Sequence, residues 1–390
     1  MSHLFPNYGR WPIRIVKGEG SYLWDEAGNR YLDLVAGIAV TSLGNVPPQV
    51  KAKVQEQLDT LWHCSNLFEI PVQEKLAEAL TSRTCGNRAF FCNSGAEANE
   101  AAIKLARRYM QKVKQQNRYE IITFVQSFHG RTLATLTATG QAKVKDGFDP
   151  LPEGFITVPY NDKDALSAAI TDQTCAIMLE MIQGEGGVHP ADADFVAHIK
   201  ELCAAHGLLL IVDEVQTGIG RTGAWFAHQH YDLEPDIITI AKGLGSGFPI
   251  GAIVGKEELA EAFGPGTHGT TFGGNPLACS AALATLETMQ EEDLLVRVEE
   301  RGAYFMKQLQ ELAAQHSGIV SVRGKGLMIG VELATEAAPV IAHMRKQGIL
   351  LLQAGPNVLR LLPPFIITEE EIDWAVQALS KALDEAAQTV

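Results

Sequence analysis

The chain has 390 residues, of which 46% are hydrophobic and 20% charged, a balance that favours a globular protein over a disordered one. Lys and Arg number 32 against 46 Asp and Glu, and the formal net charge of −14 disfavours nucleic-acid binding, which needs clustered positive charge. The sequence has no run of about 18 apolar residues and no secretory signal pattern. We therefore expect a cytoplasmic protein without a membrane span, whose six cysteines are reduced.

Short strands and proline-initiated helices are predicted near the N-terminal end. Residues 21–24 and 31–34 have the composition of two short strands joined by a polar turn. Apolar residues at helical spacing follow Pro47-Pro48, and a second helical pattern begins at Pro71.

From about residue 87, short apolar runs alternate with helical patterns. Such runs are typical of strands that are buried on both faces, so the pattern predicts an α/β architecture with a mostly parallel sheet covered by helices. The predicted strands are 87–93, 121–126, 154–159, 175–182, 208–213 and 236–242.

A smaller α+β block is predicted after about residue 275. Two long helical stretches, 276–291 and 293–315, precede a β-rich segment. A helix near 336–347, short strands near 349–361 and a final helix from 369 complete the chain. No flexible linker separates this block from the rest, so we expect one continuous two-domain body.

Two charged residues end neighbouring apolar runs of the central part. Asp213 ends LLLIVD, and Lys242 ends DIITIAK. If the two strands are parallel, both side chains emerge at the carboxyl edge of the sheet, where ligands bind. A lysine there can lose its proton by desolvation and become a nucleophile. The plainer alternatives are a turn aspartate and a surface lysine that opens a glycine-rich loop.

A third feature is the turn Ser94-Gly95-Ala96, which opens a predicted helix. The free N–H groups of a first helical turn bind phosphate well, although a serine here can equally be an ordinary N-cap. The GxGxxG and GxxxxGK[ST] patterns are absent, which disfavours a dinucleotide or a nucleotide-hydrolysing site. A phosphate cradle, a buried acid for a ring nitrogen and a nucleophilic lysine together match pyridoxal 5'-phosphate.

Four segments of the chain resemble the class III, ornithine-type aminotransferases, which use that cofactor. They are residues 213–252, SFHGRT (127–132), QGEGG (183–187) and THGTTFGGNPLAC (267–279). The resemblance implies fold type I, with a seven-stranded, mostly parallel sheet in a large domain and a smaller α+β domain. The implied division is an N-terminal part of the small domain at 1–50, the large cofactor-binding domain at 51–285 and the C-terminal small domain at 286–390.

The resemblance also implies site residues. Lys242 would be the catalytic residue and hold the cofactor, Asp213 would pair with its ring nitrogen, and Phe128 would stack on the ring. Gln216 would lie near the ring hydroxyl, and Thr271 would reach the phosphate of a neighbouring subunit, since family members are homodimers with shared sites. A core aromatic and turn residues are the respective alternatives. The full implied cofactor-binding set is Ser94, Gly95, Ala96, Phe128, Asp213, Gln216, Lys242 and Thr271.

Two arginines and one glutamate would bind the substrates. An arginine fork matches a carboxylate, although a structural ion pair is the alternative for Arg131 and for Arg360. The resemblance implies that Arg131 binds the α-carboxylate of the amine donor or the side-chain carboxylate of glutamate. Arg360 holds the α-carboxylate of glutamate or 2-oxoglutarate, and Glu185 pairs with Arg360 while the amine donor is bound.

The motif wording is most similar to family members that act on N2-acetyl-L-ornithine. The implied reaction is transamination with 2-oxoglutarate, which gives N-acetylglutamate 5-semialdehyde and glutamate in arginine biosynthesis. Ile38 replaces a tyrosine of ornithine-specific members and favours an acylated amine, and Asn45-Val46-Pro47-Pro48 departs from the family pattern near the expected substrate entrance. A succinylornithine, ornithine or 4-aminobutyrate aminotransferase, an aminomutase and a non-enzymatic binding protein are the alternatives.

No metal site is expected. His228 and His230 lie two residues apart, but with Asp232 and Glu234 they do not form a recognisable ligand spacing.

Overall fold

The computed structural model describes residues 3–387; residues 1–2 and 388–390, at the outer ends of the two predicted small-domain segments, lie outside the described residues. The strands, in chain order, are β1 (Ile15–Glu19), β2 (Tyr22–Asp25), β3 (Arg30–Asp33), β4 (Arg88–Cys92), β5 (Glu120–Phe124), β6 (Phe155–Val158), β7 (Thr174–Leu179), β8 (Ile182–Gln183), β9 (His189–Pro190), β10 (Leu209–Asp213), β11 (Ile237–Ile240), β12 (Gly251–Gly255), β13 (Ile319–Lys325), β14 (Met328–Leu333), β15 (Ile349–Leu350), β16 (Leu352–Gln353) and β17 (Val358–Leu361).

Several helices begin where the sequence supplies a proline or a capping side chain. The α-helices are α1 (Ala36–Ala39), α2 (Pro48–Leu58), α3 (Pro71–Thr81), α4 (Gly95–Arg108), α5 (Leu133–Ala138), α6 (Lys163–Ala169), α7 (Ala193–His206), α8 (Pro276–Glu291), α9 (Leu294–Gln315), α10 (Ala337–Lys346) and α11 (Glu369–Ala387). A proline opens α2, α3 and α8, which is favourable because N–H groups of a first turn have no helical acceptor. Gly207, with φ 63°, ends α7 in the left-handed conformation that glycine adopts without strain.

The central sheet of the described chain has seven strands in the order β4-β12-β11-β10-β7-β5-β6. β12 is antiparallel to both of its neighbours, and the other neighbouring strands are parallel. This arrangement confirms the predicted α/β fold with a mostly parallel sheet. Parallel neighbours end at the same edge, so the segments that follow β4, β5, β7, β10 and β11 meet there.

Helices cover both faces of this sheet. Successive side chains of β7 point to opposite faces: Ala176 and Met178 pack in the cluster that contains α4 residues, while Ile177 and Leu179 pack with α7 residues such as Phe195. Because both faces are covered, every residue of β7 and β10 is buried. This explains why these strands appear in the sequence as continuous apolar runs rather than alternating ones.

Two four-stranded sheets complete the architecture. In the sheet β1-β2-β3-β15, Leu32 of β3 lies beside Ile349 of β15, so segments from the two ends of the chain share one sheet. The sheet β13-β14-β17-β16 is antiparallel and carries Arg360 on β17. The predicted boundary between residues 285 and 286 falls inside α8, and the division into domains stays a prediction.

One local prediction was wrong, and the sequence pattern missed two strands. The predicted strand 175–182 is divided, because β7 ends at Leu179 and the chain turns at Glu180 before the short β8. Apolar residues on both sides of that turn conceal it in the sequence. β1 and β12 were missed, since glycines interrupt both patterns. Within residues 3–387, no helix combines the length and the apolarity needed to cross a bilayer.

Candidate active site

One cavity of about 410 Å³ lies at the carboxyl edge of the central sheet. Its walls come from the segments that follow β4, β5, β7, β10 and β11, as expected for a parallel sheet. The site residues predicted from the sequence that line it are Ser94, Gly95, Ala96, Phe128, Arg131, Asp213, Gln216 and Lys242. The fold therefore brings the predicted phosphate cradle, acid and lysine into one cavity.

Asp213 ends β10 with its carboxylate held from three sides. Its Oδ2 accepts hydrogen bonds from Asn99 Nδ2 at 2.8 Å and pairs with His129 Nδ1 at 2.8 Å. Its Oδ1 accepts from the Val215 N–H at 3.0 Å. The residue is only 3% exposed, so these partners are what make a buried carboxylate tolerable and fix its direction.

His129 is the imidazole partner of this carboxylate. Burial opposes protonation of the ring, but the hydrogen bond and the negative charge of Asp213 outweigh it, and the pKa of His129 is raised above its ordinary value. When protonated, His129 places a positive charge 2.8 Å from the Asp213 carboxylate. The ring's Nε2 has no hydrogen-bond partner within the described residues.

Lys242 follows β11 by two residues and lies partly open to the cavity. Its backbone has φ 45°, a left-handed conformation that costs a non-glycine residue about 1–3 kcal/mol and is typical of functional sites. Burial lowers the pKa of its ammonium below the ordinary value, and the nearby charge of Glu185 opposes that shift without cancelling it. The amine is therefore more easily deprotonated, as a nucleophile requires.

The start of α4 forms the opposite end of the cavity. Ser94 caps this helix by accepting a hydrogen bond from the Glu97 N–H at 3.2 Å. A side chain at Gly95 would place its Cβ 2.7 Å from Val215 Cγ1, so only glycine fits beside the segment that follows Asp213. The first-turn N–H groups and the positive end of the helix dipole make this end suitable for a phosphate.

Phe128 and Arg131 line the cavity beside the turn after β5. The Arg131 guanidinium lies 5.4 Å from the centre of the Phe128 ring, a cation–π distance. Arg131 is exposed, so its charge can meet a ligand from solvent.

Arg360 reaches the site from β17 and pairs with Glu185. Its Nη1 donates to Glu185 Oε1 at 2.6 Å, to the Gly184 carbonyl at 2.9 Å and to Gln216 Oε1 at 3.2 Å. Arg360 is 2% exposed, whereas the Glu185 side chain is 29% exposed. Burial raises the pKa of Glu185, but the charge of Arg360 overcomes that effect and lowers it overall. The pair combines a fixed cation with a more movable acid, next to the cavity-lining Gln216.

Thr271 differs from the other predicted cofactor residues. It is exposed and does not line the cavity of its own chain. Its neighbour Thr270 is closer, since Thr270 Oγ1 accepts from Asn93 Nδ2 at 3.3 Å and Asn93 lines the cavity.

Sequence reasoning missed two residues of the cavity wall. Asn99 holds Asp213 from the first turns of α4, and Glu180 follows β7 with its carboxylate buried. A polar side chain on the buried face of a helix and a carboxylate directly after an apolar strand are the signals that could have revealed them. His228 and His230 lie elsewhere, bonded to Glu214 and Thr222 respectively; the described residues contain no cluster of three or more metal-ligating side chains.

The composition of the cavity fits pyridoxal 5'-phosphate. A helix start suits its phosphate, a buried and hydrogen-bonded acid suits its ring nitrogen, and a lysine of lowered pKa suits its aldehyde. The sequence model of the family described as "Aminotransferase class-III" matches residues 5–383. The chain belongs to this family. Class III aminotransferases are enzymes that depend on pyridoxal 5'-phosphate, and their architecture is fold type I.

Individual relatives of this class III aminotransferase match along nearly all of its length. It is 53% identical over 387 residues to acetylornithine aminotransferase of Halalkalibacterium halodurans, covering 99% of both chains. It is 51% identical over 384 residues to acetylornithine aminotransferase of Bacillus subtilis, covering 98% of both chains. A crystal structure of Toxoplasma gondii ornithine aminotransferase, which contains the cofactor at partial occupancy, superposes with a TM-score of 0.95 and 34% identity, covering 99% of this chain and 93% of that one.

Proposed function

We propose that this aminotransferase moves the side-chain amino group of N2-acetyl-L-ornithine to 2-oxoglutarate, giving N-acetylglutamate 5-semialdehyde and glutamate. The observation that carries the proposal is the Glu185–Arg360 pair beside the cavity, which offers an anchor for one substrate carboxylate that can be covered or uncovered. The relatives named acetylornithine aminotransferase, about half identical over the whole chain, support the choice of amine.

Each residue of the cavity would perform one task in this reaction. The bound cofactor supplies an electron sink for the carbon from which a proton is removed. Asp213, held by Asn99 and His129, would hold the proton on the ring nitrogen, and the α4 N-terminus would bind the phosphate. Lys242 Nζ would hold the cofactor between turnovers and carry the proton from one carbon to the other, which its lowered pKa favours.

The two arginines would bind the carboxylates of the two substrates. Arg131, exposed at the cavity, would bind the α-carboxylate of the amine donor or the side-chain carboxylate of glutamate. Arg360 would bind the α-carboxylate of glutamate or 2-oxoglutarate, for which Glu185 must move away. While acetylornithine is bound, Glu185 would neutralise Arg360, so that one site accepts both a monoacid and a diacid.

The active site would be completed by a second copy of the chain in a homodimer. Leu67, Phe68 and Phe272 are 89%, 66% and 62% exposed, an apolar surface that is costly to leave in water. The segment that contains Leu67 lies against the loop that contains Thr271, since Asn66 Nδ2 donates to the Gly273 carbonyl at 2.9 Å. Burial of this surface between two copies would place Thr271 near the partner's phosphate-binding end.

A single-turnover absorbance assay tests the substrate assignment. Purified enzyme loaded with pyridoxal phosphate is mixed separately with N-acetylornithine, ornithine, succinylornithine and 4-aminobutyrate, and conversion of the cofactor band is followed. We expect the fastest conversion with N-acetylornithine. A preference for another of these amines would change the assigned substrate but leave the assigned reaction type unchanged. Recovery of the initial cofactor absorbance band without an added keto acid would indicate an aminomutase.

Glu185→Gln is expected to affect the two half-reactions unequally. The substitution keeps the size of the side chain but removes the negative charge that neutralises Arg360. The Arg360 guanidinium would then be unpaired while acetylornithine is bound. We expect the rate constant of the amine half-reaction to fall by about tenfold, with a smaller change in the 2-oxoglutarate half-reaction. Stopped-flow measurement of each half-reaction gives the comparison.

The matched control is Glu257→Gln, which removes a carboxylate from the exposed Arg88–Glu257 ion pair. An exposed pair contributes little, so both half-reactions are expected to keep their wild-type rates. Equal losses in the two half-reactions of Glu185→Gln would contradict the switching role.

A further inference from the structure

Glu180 occupies the point where the chain leaves β7, and both of its carboxylate oxygens accept backbone hydrogen bonds. Oε2 accepts from the Phe128 N–H at 3.0 Å, and Oε1 accepts from the Gly184 N–H at 3.4 Å. Its own carbonyl accepts from the Tyr160 hydroxyl at 2.7 Å, which holds the backbone from the other side. One buried side chain thus joins the turn that carries Phe128 to the turn that carries Glu185.

Gly184 in turn contacts Arg360, the arginine that would bind the substrate. The Gly184 carbonyl accepts from Arg360 Nη1, and the same nitrogen holds Glu185. Gly184 also packs so tightly on Gln216 that a Cβ there would lie 2.4 Å from Gln216 Oε1. Gly184 therefore constrains the position of the Glu185–Arg360 pair relative to the cavity.

Glu180 also has an unusual charge environment. Burial raises the pKa of its carboxyl to about 7, with His129 opposing and Asp213 reinforcing the shift. The ionised carboxylate accepts from both turns more strongly than the neutral acid, since protonation turns one oxygen into a weaker acceptor that also carries an O–H donor. Protonation near neutral pH therefore weakens the connection between the turns.

We propose that Glu180 is a positioning residue for the dicarboxylate subsite: its carboxylate fixes the Gly184–Glu185 turn to the Phe128 turn and thereby places the Glu185–Arg360 pair. The proposal rests on the proposed function, in which Arg360 binds 2-oxoglutarate. Glu180 acts through Gly184 and needs no contact with the substrate.

Glu180→Gln tests this role, because glutamine has the same length but only one acceptor oxygen. The bond to Phe128 is the shorter one, so we expect the amide oxygen to keep it and Gly184 to lose its acceptor. The apparent dissociation constant for 2-oxoglutarate in its half-reaction should rise about tenfold, the factor that corresponds to roughly 1.4 kcal/mol. The amine half-reaction should change by less than about threefold, which corresponds to roughly 0.7 kcal/mol.

Glu257→Gln is the matched control. It makes the same change at an exposed carboxylate that pairs with Arg88, so both half-reactions should keep their wild-type constants. Glu180→Asp is the second variant: its carboxylate keeps the charge but is one carbon–carbon bond shorter, so it cannot reach both turns. It should show the same selective loss for 2-oxoglutarate. Equal losses in both half-reactions of Glu180→Gln and Glu180→Asp, or no loss in either, would overturn the proposal.

The pH profile is the readout that a merely structural role would not move. In the wild type, the dissociation constant for 2-oxoglutarate should rise as the pH falls through about 7, since Glu180 then gains a proton and holds the two turns less strongly. Glu180→Gln should lose this rise at low pH, while His129, Asp213 and Lys242, whose charges act on Glu180, remain in both proteins. An unchanged profile would also overturn the proposal. Failure of the proposed function is separate, since it would appear in the wild type as absent acetylornithine turnover.

Discussion

Lys242→Ala is expected to lower transamination by about 10³–10⁴-fold, the largest effect of any single substitution in the site. The change removes both the nucleophile that holds the cofactor and the group that carries the proton between two carbons. A positioned proton carrier alone accounts for about 10²–10⁴-fold of the rate. The lowered pKa of Lys242 fits it for both tasks, and in the described residues it is the lysine that lines the cavity.

Turnover with acetylornithine and 2-oxoglutarate measures the loss, and mass spectrometry after borohydride reduction measures the covalent link to the cofactor. The wild type should retain the cofactor after denaturation, and Lys242→Ala should not. Lys256→Ala is the control, because this lysine follows β12 and pairs with Asp236 at 2.7 Å, away from the cavity. Full activity of Lys242→Ala would refute the assignment of this residue.

Asp213→Asn is expected to lower both half-reactions about equally, by roughly 10²–10³-fold. Removal of one preorganised electrostatic partner from a buried site has an effect of about this size. A neutral amide cannot hold a proton on the ring nitrogen, and it also withdraws the charge that raises the pKa of His129. The amide NH₂ would in addition face the Val215 N–H if the amide oxygen takes the Oδ2 position, or both Asn99 Nδ2 and His129 Nδ1 if it does not.

The half-reactions are again compared by stopped flow, with the absorbance of bound cofactor as a test that it still binds. Asp236→Asn is the control, since this carboxylate precedes β11, accepts from the Leu210 N–H and binds Lys256 at a distance from the cavity. A loss confined to one half-reaction would show that Asp213 acts on a substrate instead of on the ring.

The sequence by itself determined the class of fold and the chemistry of the cavity. Strands buried on both faces must be apolar throughout, so β7 and β10 were visible as continuous runs, and their parallel order followed from the helices between them. Asp213 ends β10 and Lys242 follows the neighbouring β11, and parallel strands end at one edge, so their meeting was predictable. Likewise, the helix that starts after Ser94 offers first-turn N–H groups that suit a phosphate.

Only the tertiary structure decided which partners meet these residues. Arg360 lies on β17, in a different sheet, and its approach to Glu185 depends on how the two sheets pack. The support of Asp213 by Asn99 and His129, and the bridge that Glu180 makes between two turns, join residues far apart in the chain. Local periodicity reports which face of an element is buried, whereas the identity of the neighbour depends on strand order and on loops, which the periodicity does not encode.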